Sequence, residues 1–348
     1  MKKHIGLAVL LLSLLLMAAC SKGEEKESTD APEGKVTAQE KENPVDEETA
    51  FSQFTYPLTG KPAEEKPSQR VIAVMVNNHT KARPQTGLSQ ADVVYEVLAE
   101  GEITRFVALF QSHIPDKIGP VRSARPYFMK LAQGYDSVYI YHGASVKINQ
   151  FVANSGIDFL NGSMYDNNGW LFMRSNDRMP PHNSYLLTSG IDKAIRAKGY
   201  NQAKEMEALP FGSEDELKQG QSVQDVTITY SNQPQEVVSF TYDSEQKQFL
   251  RSSDGEPTVE KESNDRIAVD NIFVVKTSHQ VIDSKGRREV DLTSGGKGYL
   301  FYKGQMMEVN WKNDQGRILP YLDGQPLKFA KGKTWVNIVP NDTNVAAQ

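Results

Sequence analysis

The sequence predicts an α/β (α+β) N-terminal domain with a mixed sheet, followed by a smaller all-β barrel or sandwich domain. Three observations carry this. Across residues 55–215, apolar strand-like runs alternate with segments of helical spacing, the pattern of layered α/β folds. Across 222–340, short alternating strands are separated by Asp254-Gly255, Lys303-Gly304, Asp323-Gly324 and Lys331-Gly332, as in compact all-β domains. The 348 residues also exceed the ~250–300 at which a single core stops growing.

In the first domain, residues 71–76 (VIAVMV) read as a buried strand, because the run is apolar without alternation. Residues 91–99 and 103–111 flank Glu100-Gly101-Glu102 and read as a hairpin. Helical spacing runs over 124–133 up to Gly134, over 145–153, and over 188–198 up to Gly199; residues 137–142 form a further strand. In the second domain, strands are expected at 224–230, 236–242, 248–252, 272–277, 288–292, 298–302, 305–311 and 334–339, with Trp311 and Trp335 in the core. Residues 200–222, rich in Glu, Lys, Gln and Gly, read as the linker between domains.

The N-terminus has its own logic. Lys2, Lys3 and His4 precede an apolar run from Ile5 to Met17, shorter than a spanning helix and suited to a signal peptide over residues 1–19. The run ends in Met17-Ala18-Ala19-Cys20, which resembles a bacterial lipobox, with Met17 in place of the more usual Leu. Cys20 is the single cysteine of the chain. The resemblance implies a lipid-modified Cys20 at the outer face of the cytoplasmic membrane, since two or more acyl chains hold stably where one does not. Residues 21–50 contain ten Asp/Glu, four Lys/Arg and no aromatic residue, so residues 20–54 read as a disordered acidic tether, most simply a spacer.

Charge narrows the partners. The chain carries a net charge of −5, and nearly all of it lies in the tether, leaving the folded part close to neutral. A nucleic-acid binder would need a basic footprint, which is missing. One cysteine excludes an internal disulfide framework and Cys-based zinc clusters. No cofactor or metal motif occurs. Gly295-Gly296-Lys297 lacks the upstream glycine of a phosphate loop, and the Ser-x-x-Lys at Ser244 falls in a hairpin turn.

The densest candidate site is Ile118-Gly-Pro-Val-Arg-Ser-Ala-Arg125. Arg122, Ser123 and Arg125 stand at an expected helix start, where free N–H groups and planar guanidinium donors suit an anion. Arg83 and Arg105 are candidates to join them. A second strand-to-helix junction offers His142 and Ser145, with Ser145 placed to cap a helix. A third polar loop carries Pro180-Pro181 and His182-Asn183. Asp92, Glu96 and Glu100, four apart, form an acidic row, expected to be the solvated face of an edge hairpin, with Asp92 a candidate for the cleft.

Residues 83–92 (RPQTGLSQAD), 103–106 (ITRF), 119–125 (GPVRSAR) and 182–185 (HNSY) resemble the YerB-like lipoprotein family of Gram-positive bacteria, over about residues 55–340. The resemblance implies a lipid-anchored, extracytoplasmic, two-domain protein with no assigned activity. A hairpin followed by an Arg-bearing turn is also similar to the LytR-CpsA-Psr wall-polymer transferases, although Val121-Arg122-Ser123 stands where those carry Arg-Asp after proline. Three functional readings follow. The first is a binding or accessory protein of the envelope, taking an anionic ligand or a wall-associated protein. The second is an enzyme on a phosphate-linked wall precursor, with Asp92 or His142 as acid or base. The third is an adaptor docking a partner through the β domain. No complete catalytic set is present, which places binding first.

Overall fold

The computed structural model describes residues 53–230 and 236–348. The expected signal peptide, Cys20 and all but the last two residues of the tether lie outside the described residues. The chain is mostly β, with three α-helices among the described residues.

Its centre is a twelve-stranded mixed sheet. Ile72–Asn77 is buried at every position, as its unbroken apolar run demands. It pairs antiparallel with Thr104–Phe110 and parallel with Val138–Tyr141, which in turn pairs parallel with Phe159–Asn161. Thr104–Phe110 forms the expected hairpin with Val93–Leu98. That hairpin is not an edge. Val93–Leu98 pairs in parallel with Thr334–Pro340 from the far end of the chain, and Thr334–Pro340 pairs with Asn271–Thr277. Gly296–Tyr302, Gln305–Asp314, Arg317–Leu322 and Gln325–Pro326 continue the same sheet. The acidic row is therefore interior: Asp92 and Glu96 are fully buried rather than solvated.

Each face of this sheet buries its own core. On one face lie α1 (Pro126–Gln133) and α2 (Val146–Ala153), with Phe128, Leu131 and Val152 packed against Met75, Tyr95 and Leu109. Pro126 opens α1, where its missing N–H is not needed. Gly134 closes it against another backbone, for a Cβ there would stand 2.4 Å from Gly316. Ser145 caps α2, accepting from Ile148 N at 3.4 Å. On the other face lie α3 (Ile191–Lys198) and a six-stranded sheet whose centre is Asp225–Thr229, Val237–Asp243 and Gln248–Ser253. Val226, Val238, Phe240 and Phe249 of that sheet share a core with Ile272, Val274 and Trp335. Both sheets end in free edges, so among the described residues no closed barrel forms. Trp311 and Trp335 are buried. The expected linker contributes Phe211–Gly212, paired with Phe329–Ala330, and Gln221–Ser222, paired with Gln305–Asp314.

Among the described residues no helix is long and apolar enough to cross a membrane.

Candidate functional site

Two parallel strands, Ile72–Asn77 and Val138–Tyr141, run out at the same edge, and ligands of open α/β sheets sit beyond such carboxyl ends. The segment 119–124 is threaded across this edge by backbone bonds. Asn77 N donates to Pro120 O (2.9 Å), Arg122 N to Met75 O (2.9 Å), His142 N to Arg122 O (2.9 Å) and Ala124 N to Gly143 O (3.1 Å). Gly119 holds φ +154 where a Cβ would meet the Ser184 carbonyl at 3.0 Å, and Gly119-Pro120 is cis.

Arg122 is thereby fixed at the strand ends with its side chain half-buried. Among the described residues it has no carboxylate partner and its guanidinium makes no hydrogen bond. Burial, and then the charge of Arg105, pull its pKa down to about 10. Beside it stand two histidines whose rings lie 4.6 Å apart, His79 and His182. The Asn77 amide is oriented by His79 N, which donates to Oδ1 at 3.1 Å; its Nδ2 then donates to Nδ1 of His182 at 3.0 Å. Nδ1 of His79 accepts from Lys81 N at 3.1 Å. With both Nδ1 atoms accepting, each neutral ring carries its proton on Nε2. Burial first, then the charges of Lys81, Arg122 and Arg83, lowers the pKa of His79. Burial, His79, Arg122, Lys81 and Arg178 lower that of His182. The charges that act most on these three side chains belong to lysine, arginine and histidine. The cluster presents donors and no acceptor, the chemistry of an anion site.

The other sequence candidates have partners inside the fold. Arg83 pairs with Asp254 (2.6 Å) and Glu236 (3.4 Å) and donates to Asn78 O (2.9 Å). Glu100 pairs with both Arg105 and Arg125. The Ser123 carbonyl accepts from Arg105 at 3.3 Å. Asp92 accepts from Gln111 N (2.6 Å), from Ser112 N (2.9 Å) and from the Ser112 hydroxyl. His142 contacts Asp166 at 3.2 Å, and Asp166 also holds Arg174. Asn183 accepts from Arg174 at 2.9 Å and donates to Ser175 O at 3.1 Å. The structure thus brings Arg122 and His182 together, leaves Arg105 beside them, and commits Arg83, Asp92, Asn183 and Ser145 to the scaffold. His79 and Asn77 escape the sequence reading. Their one signal is position, directly after a buried strand. Among the described residues no group of three or more His, Cys, Asp or Glu is placed to hold a metal.

Comparison with known proteins finds two successive family domains along the chain. Residues 58–201 match the N-terminal domain model of a family of unknown function, DUF3048, and residues 226–336 match its C-terminal domain model. The chain is 46% identical over 287 residues to "Putative lipoprotein YerB" of Bacillus subtilis (strain 168), covering 82% of this chain and 86% of that protein. The crystal structure of the Bacillus subtilis YerB protein superimposes with a TM-score of 0.78 at 44% identity, covering 84% of this chain and 99% of that one. With both domain models matched and a relative aligned over most of its length, the chain belongs to the YerB-like, two-domain DUF3048 family.

Proposed function

We propose that the protein is a lipid-anchored accessory protein on the outer face of the cytoplasmic membrane, and that its folded body binds an anionic envelope ligand at Arg122, His79 and His182. Acylated Cys20 holds it to the bilayer, and the acidic segment after it acts as a spacer. The observation that carries the binding reading is the uncompensated guanidinium of Arg122 beside two Nε2–H donors. A half-buried cation without a counter-charge is costly, and an arriving anion removes that cost. Binding is favoured over acid–base chemistry because Asp92 is occupied by three donors and His142 by Asp166.

The test has two arms. Isothermal titration of the purified chain with pyrophosphate should give saturable 1:1 binding, weakened at least tenfold by Arg122→Gln with a melting temperature no lower than the parent's. No binding, or equal binding by the variant, sinks the ligand reading. Membrane fractionation of Cys20→Ser should move the protein into the soluble fraction; retention like the parent's removes the anchor.

A further inference from the structure

A cleft of about 440 Å³ opens between α1, α2 and the hairpin formed by His279–Val281 and Arg288–Val290. It contains neither Arg122, His79 nor His182, so it stands apart from the anion site above. Its lining has two characters. Arg125, Lys130, Lys147, Arg287 and Arg288 line it together with Asp283 and Glu289, and three of these cations are ion-paired: Arg125 with Glu100, Arg287 with Asp283 and Arg288 with Glu102. Lys130 and Lys147 have no ion-pair partner among the described residues. Tyr127, Ile148, Phe151, Ile282 and Val290 supply apolar walls.

Three observations point to an occupant. First, Nε of Arg125 and Nε of Arg288 are buried without any hydrogen-bond partner, although both side chains are only 12% and 10% exposed. Both guanidinium groups are otherwise held within the fold, Arg125 by Glu100 and Arg288 by Glu102 and the Gly101 carbonyl, so an acceptor in the cleft reaches these costly orphaned N–H groups only as the side chains shift. Secondly, the first turns of both α1 and α2 line the cleft, adding the positive ends of two helices to the cations. Thirdly, the mouth carries large apolar side chains in water. Ile282 is 58% exposed, Phe151 39%, and their neighbours Val281 and Val146 58% and 74%. Scattered apolar residues need no explanation, but Phe151 and Ile282 both line one cation-rich cleft.

We infer that this cleft binds an anionic amphiphile, with a phosphate or carboxylate head held by Arg125, Arg288 and Lys147 and the first part of a hydrocarbon chain laid over Phe151, Ile148 and Ile282. A simple anion would leave the apolar mouth wet. A neutral apolar ligand would leave Lys130 and Lys147 without a counter-charge. Only a molecule with both parts answers both observations, its chain adding affinity as apolar area leaves water.

The chain from residue 21 onward keeps every described residue and is titrated without detergent. Dodecyl phosphate, below its micellar concentration, should bind 1:1 at least tenfold tighter than either inorganic phosphate or dodecyl maltoside. Ile282→Asp and Lys147→Glu, both at exposed positions, should each weaken it at least fivefold with the melting temperature unchanged. Arg122→Gln should leave it unchanged, which separates this cleft from the anion site. No saturable binding, equal affinity for either control, or indifference to both cleft variants would overturn the proposal. Displacement of the probe by phosphatidylglycerol vesicles would assign the amphiphile to the bilayer; resistance to them would assign it to a free molecule, and either result sustains the cleft.

Discussion

Glu96 and Arg251, 155 positions apart, form a fully buried ion pair that joins the two family domains. Both side chains are 0% exposed, and Nη2 of Arg251 reaches both carboxylate oxygens at 2.9 and 3.0 Å. Glu96 also accepts from Trp335 Nε1 (2.8 Å) and Thr104 Oγ1 (2.9 Å). The Arg251 guanidinium lies 4.6 Å from the Trp335 ring and 5.4 Å from that of Phe106. Removing one partner strands the other charge, so Glu96→Ala or Arg251→Ala should each lower stability by about 3–5 kcal/mol. Replacing both by apolar residues, Glu96→Leu with Arg251→Met, should restore only part of that loss, because Trp335 Nε1 is left without its acceptor. Urea denaturation measures all three. Because the pair and the shared sheet bind the domains together, the parent should unfold in a single transition by tryptophan fluorescence and circular dichroism; two separated transitions would refute the coupling.

Anion binding at Arg122 should strengthen as pH falls. In the free protein both histidines have pKa values below 6.5, chiefly through burial, so both are neutral at pH 7.5. A bound anion favours the protonated rings and raises those values, although the added proton on Nδ1 must displace the Asn77 amide from His182 and the Lys81 N–H from His79. The complex therefore takes up protons, and affinity rises as pH drops through 6.5 towards the lowered free values. Sulfate is the suitable probe, as it keeps its charge throughout. Its dissociation constant should fall several-fold between pH 7.5 and 5.5, and His79→Gln with His182→Gln should flatten the profile. A flat profile in the parent would detach the histidines from the site.

Asp92 should behave as scaffold. It ties Gln111 and Ser112 to the start of the Val93–Leu98 strand from a fully buried position. Asp92→Ala leaves two buried backbone donors unmatched, so a loss of about 2–4 kcal/mol is expected. Sulfate affinity of the folded fraction should stay within twofold of the parent. A selective loss of affinity at unchanged stability would return Asp92 to the cleft.

The three helices and the longer strands were legible because each is declared locally, whereas the strands Phe159–Asn161, Ser184–Leu187 and Arg317–Leu322 escape the sequence reading. The apolar run at 71–76 and the glycines at 134 and 199 name their own elements within one to three residues. The environment of the acidic row was not. Four-residue spacing tells that Asp92 and Glu96 share a face, but not that Thr334–Pro340 closes the open side of the hairpin from some 240 residues away. The same holds for the arginines. Motif density found 122 and 125, yet the groups that hold Arg83, Glu236 and Asp254, come from the other domain. Local patterns record burial; they do not record which distant charge arrives to compensate it.

Acid sensitivity should come from a balance between His279 and Glu236. Both ring nitrogens of His279 are buried without a partner, and burial, then Arg288, pushes its pKa down to about 3. The unfolded chain binds this proton near pH 6.5, so the contribution of His279 to stability is complete above 6.5 and is lost as pH falls towards 3. Glu236 acts in reverse. Burial raises its pKa to about 7, so its contribution is complete below the unfolded value of 4.5 and is lost as pH rises through 7. Between pH 4.5 and 6.5 the two slopes oppose each other, each worth about 1.4 kcal/mol per pH unit at full strength. Removing one exposes the other. Over that window His279→Leu should make the protein lose stability as pH rises, and Glu236→Gln should make it lose stability as pH falls. Urea midpoints taken at half-unit intervals would show the two variants diverging in opposite directions from a flatter parent. Parallel curves would mean that neither group keeps its perturbed proton affinity in the folded chain.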